Sequence, residues 1–236
     1  MKRKTTITLT IAGLLGLAGV LYGATFFSPV VGPFGQGPVG VAASRTELFA
    51  TDFCIGLLNP DHRNIQTVNC DGTFSVLTSI PSFVGSTCEE MYMAIAPSQS
   101  ANAVPPFTPR DVFITNGLLI YRFTPPNPPN PLTAADIFAV IPSADCAGDH
   151  TGITFDHTGP PGTFGNEMIV TCKEGNHSVW RVNGVGTPTH IADVTGAAEI
   201  EGPAVVPTGF GTLGGQIWVS DEQGTCGGIP GAVNAI

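Results

Sequence analysis

An all-β fold is expected for this chain, a β-propeller built of four-stranded antiparallel blades, about four of them present and the set incomplete. Three observations lead there. Residues 148–194 hold four short apolar runs (152–155, 167–171, 178–182 and 189–194), and the turn-formers between them include Asp156 to Gly162, Glu174-Gly175-Asn176 and Asn183-Gly184. Short β-prone runs punctuated by Gly, Pro, Asn and Asp make an antiparallel meander. The second run, Glu167-Met168-Ile169-Val170-Thr171, recurs as Glu47-Leu48-Phe49-Ala50-Thr51, Asp111-Val112-Phe113-Ile114-Thr115 and Gln216-Ile217-Trp218-Val219-Ser220, with starts 64, 56 and 49 residues apart. Four-stranded units repeating at that spacing are propeller blades. Finally, no long stretch past the N-terminal segment places apolar residues at helical spacing.

The elements follow in chain order. Residues 1–27 open with Lys2, Arg3 and Lys4 and continue as an uncharged run rich in Leu, Ile, Ala and Gly. A basic head before an apolar run is an export signal, and its length also allows an uncleaved membrane anchor. Residues 28–44 are rich in Gly and Pro, carry no charge, and read as a linker. Residues 45–236 are the propeller, with repeat units near 47–80, 89–141, 149–194 and 199–236. The first unit supplies strands at 47–51, 64–68 and 74–79 and shows no clear inner strand. The second supplies strands at 89–95, 111–115, 119–123 and 136–141, and its insertion Thr124-Pro125-Pro126-Asn127-Pro128-Pro129-Asn130-Pro131 reads as a stiff surface loop, with a proline-rich recognition motif as the alternative. The fourth supplies strands at 201–206, 216–220 and 232–236 and has no outer strand. The second strands are continuously apolar, as expected when each sheet is covered on both faces. The end blades of such a set would each leave a face uncovered, so either a longer chain or self-association would complete the ring.

Charge and cysteine usage bound the partners. The formal charge is −9, and past the basic head six basic residues face eighteen acids. No basic stripe is present, so a nucleic-acid partner is not expected. An acidic surface suits cations. The six cysteines all follow the N-terminal segment, and an even number in an exported chain points to disulfides. Cys146 with His150 and Cys172 with His177 also fit a tetrahedral zinc site. In the blade arrangement, however, Cys146 precedes a first strand and Cys172 follows a second strand on the same face, which makes Cys146–Cys172 the expected bond. Asn176-His177-Ser178 fits a glycosylation sequon, a weak three-residue match. Tyr121, Trp180 and Trp218 are expected to fill space between blades.

Where these residues line up, the chain resembles the six-bladed propellers of the gluconolactonase/SMP-30-like and NHL-like superfamily. The phrases that carry the resemblance are Gly152-Ile153-Thr154-Phe155-Asp156, Glu201-Gly202-Pro203-Ala204-Val205, Val179-Trp180-Arg181-Val182 and Ile120-Tyr121-Arg122-Phe123. First strands in such a fold begin around one channel mouth, which here would gather Glu89, Glu90, Asp149, His150, Glu199 and Glu201. The resemblance implies a glutamate of a Glu-Gly-Pro phrase on a divalent metal, matched by Glu201. Glu90, His150 and Glu201 are therefore the candidate metal ligands, and a hard cation such as calcium is the cofactor that set would suit. The Asn and Asp that complete the family's metal set have no counterpart here. No Gly-x-Ser-x-Gly, His-Glu-x-x-His or P-loop pattern occurs. Two functions follow. One is an exported binding or interaction module for a small molecule, glycan or protein, touching a membrane only through an uncleaved N-terminal segment. The other is a divalent-metal-dependent hydrolase of the lactonase kind.

Overall fold

The structure, a computed structural model, describes residues 38–52, 64–69, 71–80, 91–146, 151–159, 162–173, 175–197, 199–226 and 229–236, all within one compact unit running from Pro33 to Ile236. It is all-β with four antiparallel sheets, each a meander of neighbours in sequence. The first blade comprises β1 (Pro38–Ala43), β2 (Leu48–Asp52), β3 (Asn64–Val68) and β4 (Phe74–Ser79). The second comprises β5 (Met93–Ile95), β6 (Val112–Asn116), β7 (Leu119–Phe123) and β8 (Ile137–Val140). The third comprises β9 (Thr151–Phe155), β10 (Met168–Cys172), β11 (Ser178–Val182) and β12 (Pro188–Asp193). The fourth has three strands, β13 (Ile200–Val205), β14 (Ile217–Cys226) and β15 (Ile229–Ala235). The inner strands pack in series, β1 on β5, β5 on β9 and β9 on β13, and so line the axis of a four-blade arrangement.

One expectation needs correcting. Pro38–Ala43 falls in the stretch read as linker, yet it is the inner strand that the first blade was thought to lack. The glycine that made it look like a linker has a packing cause: a Cβ on Gly40 would run into the carbonyl oxygen of Met91 and the hydroxyl of Thr51. Only a residue without a side chain lets two backbones approach that closely.

Alternating side chains of each second strand feed the clefts on either side of their sheet. Val112 and Ile114 of β6 pack toward the first blade, with Phe49, Ile65 and Tyr121. Phe113 turns the other way and joins Phe107, Phe155, Met168 and Val170. Ile169 of β10 meets Ile200, Ile217 and Val219 of the fourth blade. Three apolar cores thus join four blades, and among the described residues none joins the fourth blade to the first. The middle core is aromatic: Phe107, Phe113, Phe138 and Phe155 meet at centroid separations of 4.9–5.8 Å, mostly edge to face, the arrangement that ring quadrupoles favour.

The repeat extends to backbone detail. The residue two places before the second strand is left-handed in three blades: Arg110 (φ 76°), Asn166 (φ 57°) and Gly215 (φ 82°). In the second and third blades the acid that follows reaches for an arginine on the third strand. Glu167 Oε2 lies 2.8 Å from Arg181 Nε, and Asp111 Oδ2 lies 3.9 Å from Arg122 Nε. Glu47, whose blade carries Thr67 at the arginine's position, takes Arg110 of the next blade at 3.0 Å. The proline-rich insertion also serves the fold: the Thr78 hydroxyl of β4 donates to Pro129 O at 2.6 Å, fastening the first blade's outer strand to the second blade.

Candidate functional site

Two places on the inner strands carry chemistry. The first is the seam where β10 ends and β13 begins. A second strand ends on the face where the next blade's inner strand starts, so Lys173, just past Cys172, arrives beside Glu199 and Glu201. Its Nζ lies 2.6 Å from Glu201 Oε1 and 3.4 Å from Glu199 Oε1. The lysine side chain is 9% exposed and the two glutamates 22% and 16%. Nearby, the Thr171 hydroxyl is buried and has no hydrogen-bond partner.

Glu201 was one of three expected metal ligands. Glu90 and His150 lie outside the described residues, so Glu201 alone of that set is placed. Its carboxylate lies within hydrogen-bonding distance of the Lys173 ammonium. Among the described residues, no group of three His, Cys, Asp or Glu side chains is arranged to hold a metal ion. Lys173 was not anticipated. Its signal was available, since it is one of few basic residues in an acidic chain and stands two places beyond the threonine that ends a second strand.

The cysteine question resolves toward the disulfide. Cys146 and Cys172 are bonded, with their Cα atoms 5.4 Å apart, inside the range a disulfide requires. Cys146 also bridges to Gly175, so the bond ties the approach to the third blade onto the hairpin between β10 and β11. Both sulfurs are committed, which removes them from any zinc site. Asn176 of the sequon is exposed on that hairpin, whereas its Ser178 is buried, donating to Asp145 O at 2.9 Å and accepting from Trp180 Nε1 at 2.7 Å.

The second place is a cavity of about 350 Å³ between β1, β5 and β9, lined by Val41, Met93, Ile95, Ile153, Phe155 and His157 among others. Among the described residues, no Asp, Glu, Lys or Arg contributes to its wall. His157 is its polar handle. Its Nδ1 lies 3.0 Å from Phe155 O. A carbonyl only accepts, so Nδ1 carries the proton and Nε2 is the acceptor of the neutral ring.

The loop behind His157 is fixed by a buried carboxylate. Asp156 is fully buried; one of its oxygens accepts from the Thr158 backbone and hydroxyl, the other from Phe164 N at 2.7 Å and Asn166 N at 3.2 Å. The Asn166 amide donates to Asp156 O and Gly159 O and accepts from Gly162 N. Gly162 must be glycine, because a Cβ there would collide with the Asp156 carboxylate. The sequence shows this stretch only as a run of turn-formers; that its aspartate is the organising centre follows from burial.

No protein-family model matches the chain, and no curated protein matches it.

Proposed function

We propose that this is an exported binding module whose ligand seat is the cavity between β1, β5 and β9. The observation that carries the reading is the cavity itself, about 350 Å³ with no charged side chain among the described residues of its wall. That volume falls in the range of small-molecule pockets, which are mostly apolar with a few orienting polar groups. The wall is open and offers polar as well as apolar surface, Thr154 and His157 beside Ile153 and Phe155, so the ligand class is an uncharged molecule with an apolar part and a hydrogen-bond donor for His157 Nε2. Export is supported by the basic head and apolar run at the N-terminus and by the Cys146–Cys172 bond. No helix among the described residues is long and apolar enough to cross a membrane.

N-phenyl-1-naphthylamine, neutral, apolar and carrying one N–H, is a suitable probe because its emission rises in an apolar site. Saturable binding that is lost when Ala94→Trp fills the cavity supports the reading. Binding that ignores that substitution refutes it.

The rival reading, a metal-dependent hydrolase resembling the lactonase propellers, rests on Glu201-Gly202-Pro203. It requires that carboxylate to serve a metal, and Lys173 stands in the way.

A further inference from the structure

We propose that Lys173 is the built-in cation of the channel mouth between the third and fourth blades, so that Glu201 joins two blades through an ammonium ion and binds no divalent metal. Glu199 and Glu201 stand at the start of β13, where carboxylates gathered beside a channel would otherwise attract a hard cation. The charge they meet comes from the adjacent blade. Lys173 Nζ is within hydrogen-bonding distance of both, at 2.6 and 3.4 Å, and the lysine is nine-tenths buried. A calcium ion bonds carboxylate oxygen at about 2.4 Å, so one sharing Glu201 Oε1 with the ammonium could stand no farther than about 5 Å from it. That is well inside the screening length of about 8 Å at physiological salt. A buried ammonium cannot yield the position cheaply, because leaving it unpaired costs far more than an exposed ion pair returns.

The first seam is joined by a neutral hydrogen bond. There Thr51 of β2 donates to Met91 O just ahead of β5 at 2.6 Å. At the third seam the matching Thr171 hydroxyl makes no such bond, and Lys173, two places on, meets Glu199 and Glu201 instead. The inference does not depend on the cavity or on what binds there.

The test uses the full-length chain. Isothermal titration with calcium chloride should give no heat that depends on Glu201, and the melting midpoint should be the same in EDTA and in millimolar calcium. Lys173→Met and Glu201→Gln should each lower the midpoint, the former by roughly 6–20 °C. The double substitution should be no worse than Lys173→Met alone, because that change already removes the Glu201 contact along with the one to Glu199. Should Lys173→Met fail to fold, the double variant, in which the stranded Glu201 charge is gone, must recover a cooperative melt. Calcium heat in the wild type that disappears in Glu201→Gln overturns the proposal. So do additive losses, or a double variant that stays unfolded.

Discussion

Exchanging a hydroxyl for a methyl at the end of each second strand should change stability with a sign that depends on the blade. Thr51, Thr115 and Thr171 occupy the same repeat position, all fully buried. Valine has nearly the shape of threonine, so the exchange probes the hydroxyl alone. Thr51 Oγ1 accepts from Gly40 N at 2.9 Å and donates to Met91 O at 2.6 Å. Thr51→Val strands a buried N–H and a buried carbonyl, a loss of about 1–3 kcal/mol. In a chain of this size each kcal/mol moves the midpoint by about 2–4 °C, giving a drop of roughly 2–12 °C. Thr115 Oγ1 accepts from Tyr92 N at 3.0 Å, and its return bond to Tyr92 O is long at 3.4 Å, so Thr115→Val falls at the lower end of that range. Thr171 Oγ1 has no partner. Thr171→Val therefore relieves a desolvated hydroxyl and should hold or raise the midpoint, by up to roughly 6 °C. Circular-dichroism melts of the three variants at one pH decide it. If Thr171→Val loses as much as Thr51→Val, the reasoning from hydrogen-bond partners fails.

Two further outcomes are expected. Burial raises the Glu167 carboxyl above its usual range despite the opposing guanidinium of Arg181. A carboxyl with a raised folded-state pKa favours folding while protonated, and that contribution is lost as pH rises from about 4.5 through the raised value. The midpoint of Glu167→Gln relative to wild type should therefore improve between pH 4 and pH 7, and melts showing it worsen would contradict the assignment. Removing the Cys146–Cys172 bond by Cys146→Ser opens a loop with a sequence separation of 26 residues, and roughly 3–4 kcal/mol of stability should go with it, read as a shift in a urea unfolding curve. A variant as stable as the wild type would show that the bond constrains nothing.

Much of the fold was legible because blade packing writes itself into composition. Val112-Phe113-Ile114 and Met168-Ile169-Val170 are apolar without alternation since both faces of their sheets are covered, and turn residues punctuate each strand. The disulfide was legible from the same-face logic of a meander. What escaped was information carried by contacts distant in sequence. Gly40 looked like linker chemistry, whereas its bare Cα is what admits the carbonyl of Met91. Glu201 is legible as an acid at the start of an inner strand but its counter-ion is not, because Lys173 is brought to it only by the stacking of β10 against β13. Asp156 reads as a turn residue in the sequence and acts as the buried hub of a loop in the fold. The cavity was not foreseen at all, since its wall takes one or a few residues from each of three inner strands.

A crystal structure of the chain soaked with N-phenyl-1-naphthylamine tests the central claim most directly. The account predicts the naphthyl rings between β1, β5 and β9, against Ile153 and Phe155, with the amine nitrogen within about 3.2 Å of His157 Nε2. Probe density confined to the outer face of the fourth blade, with the inner-strand cavity filled only by solvent, would contradict it.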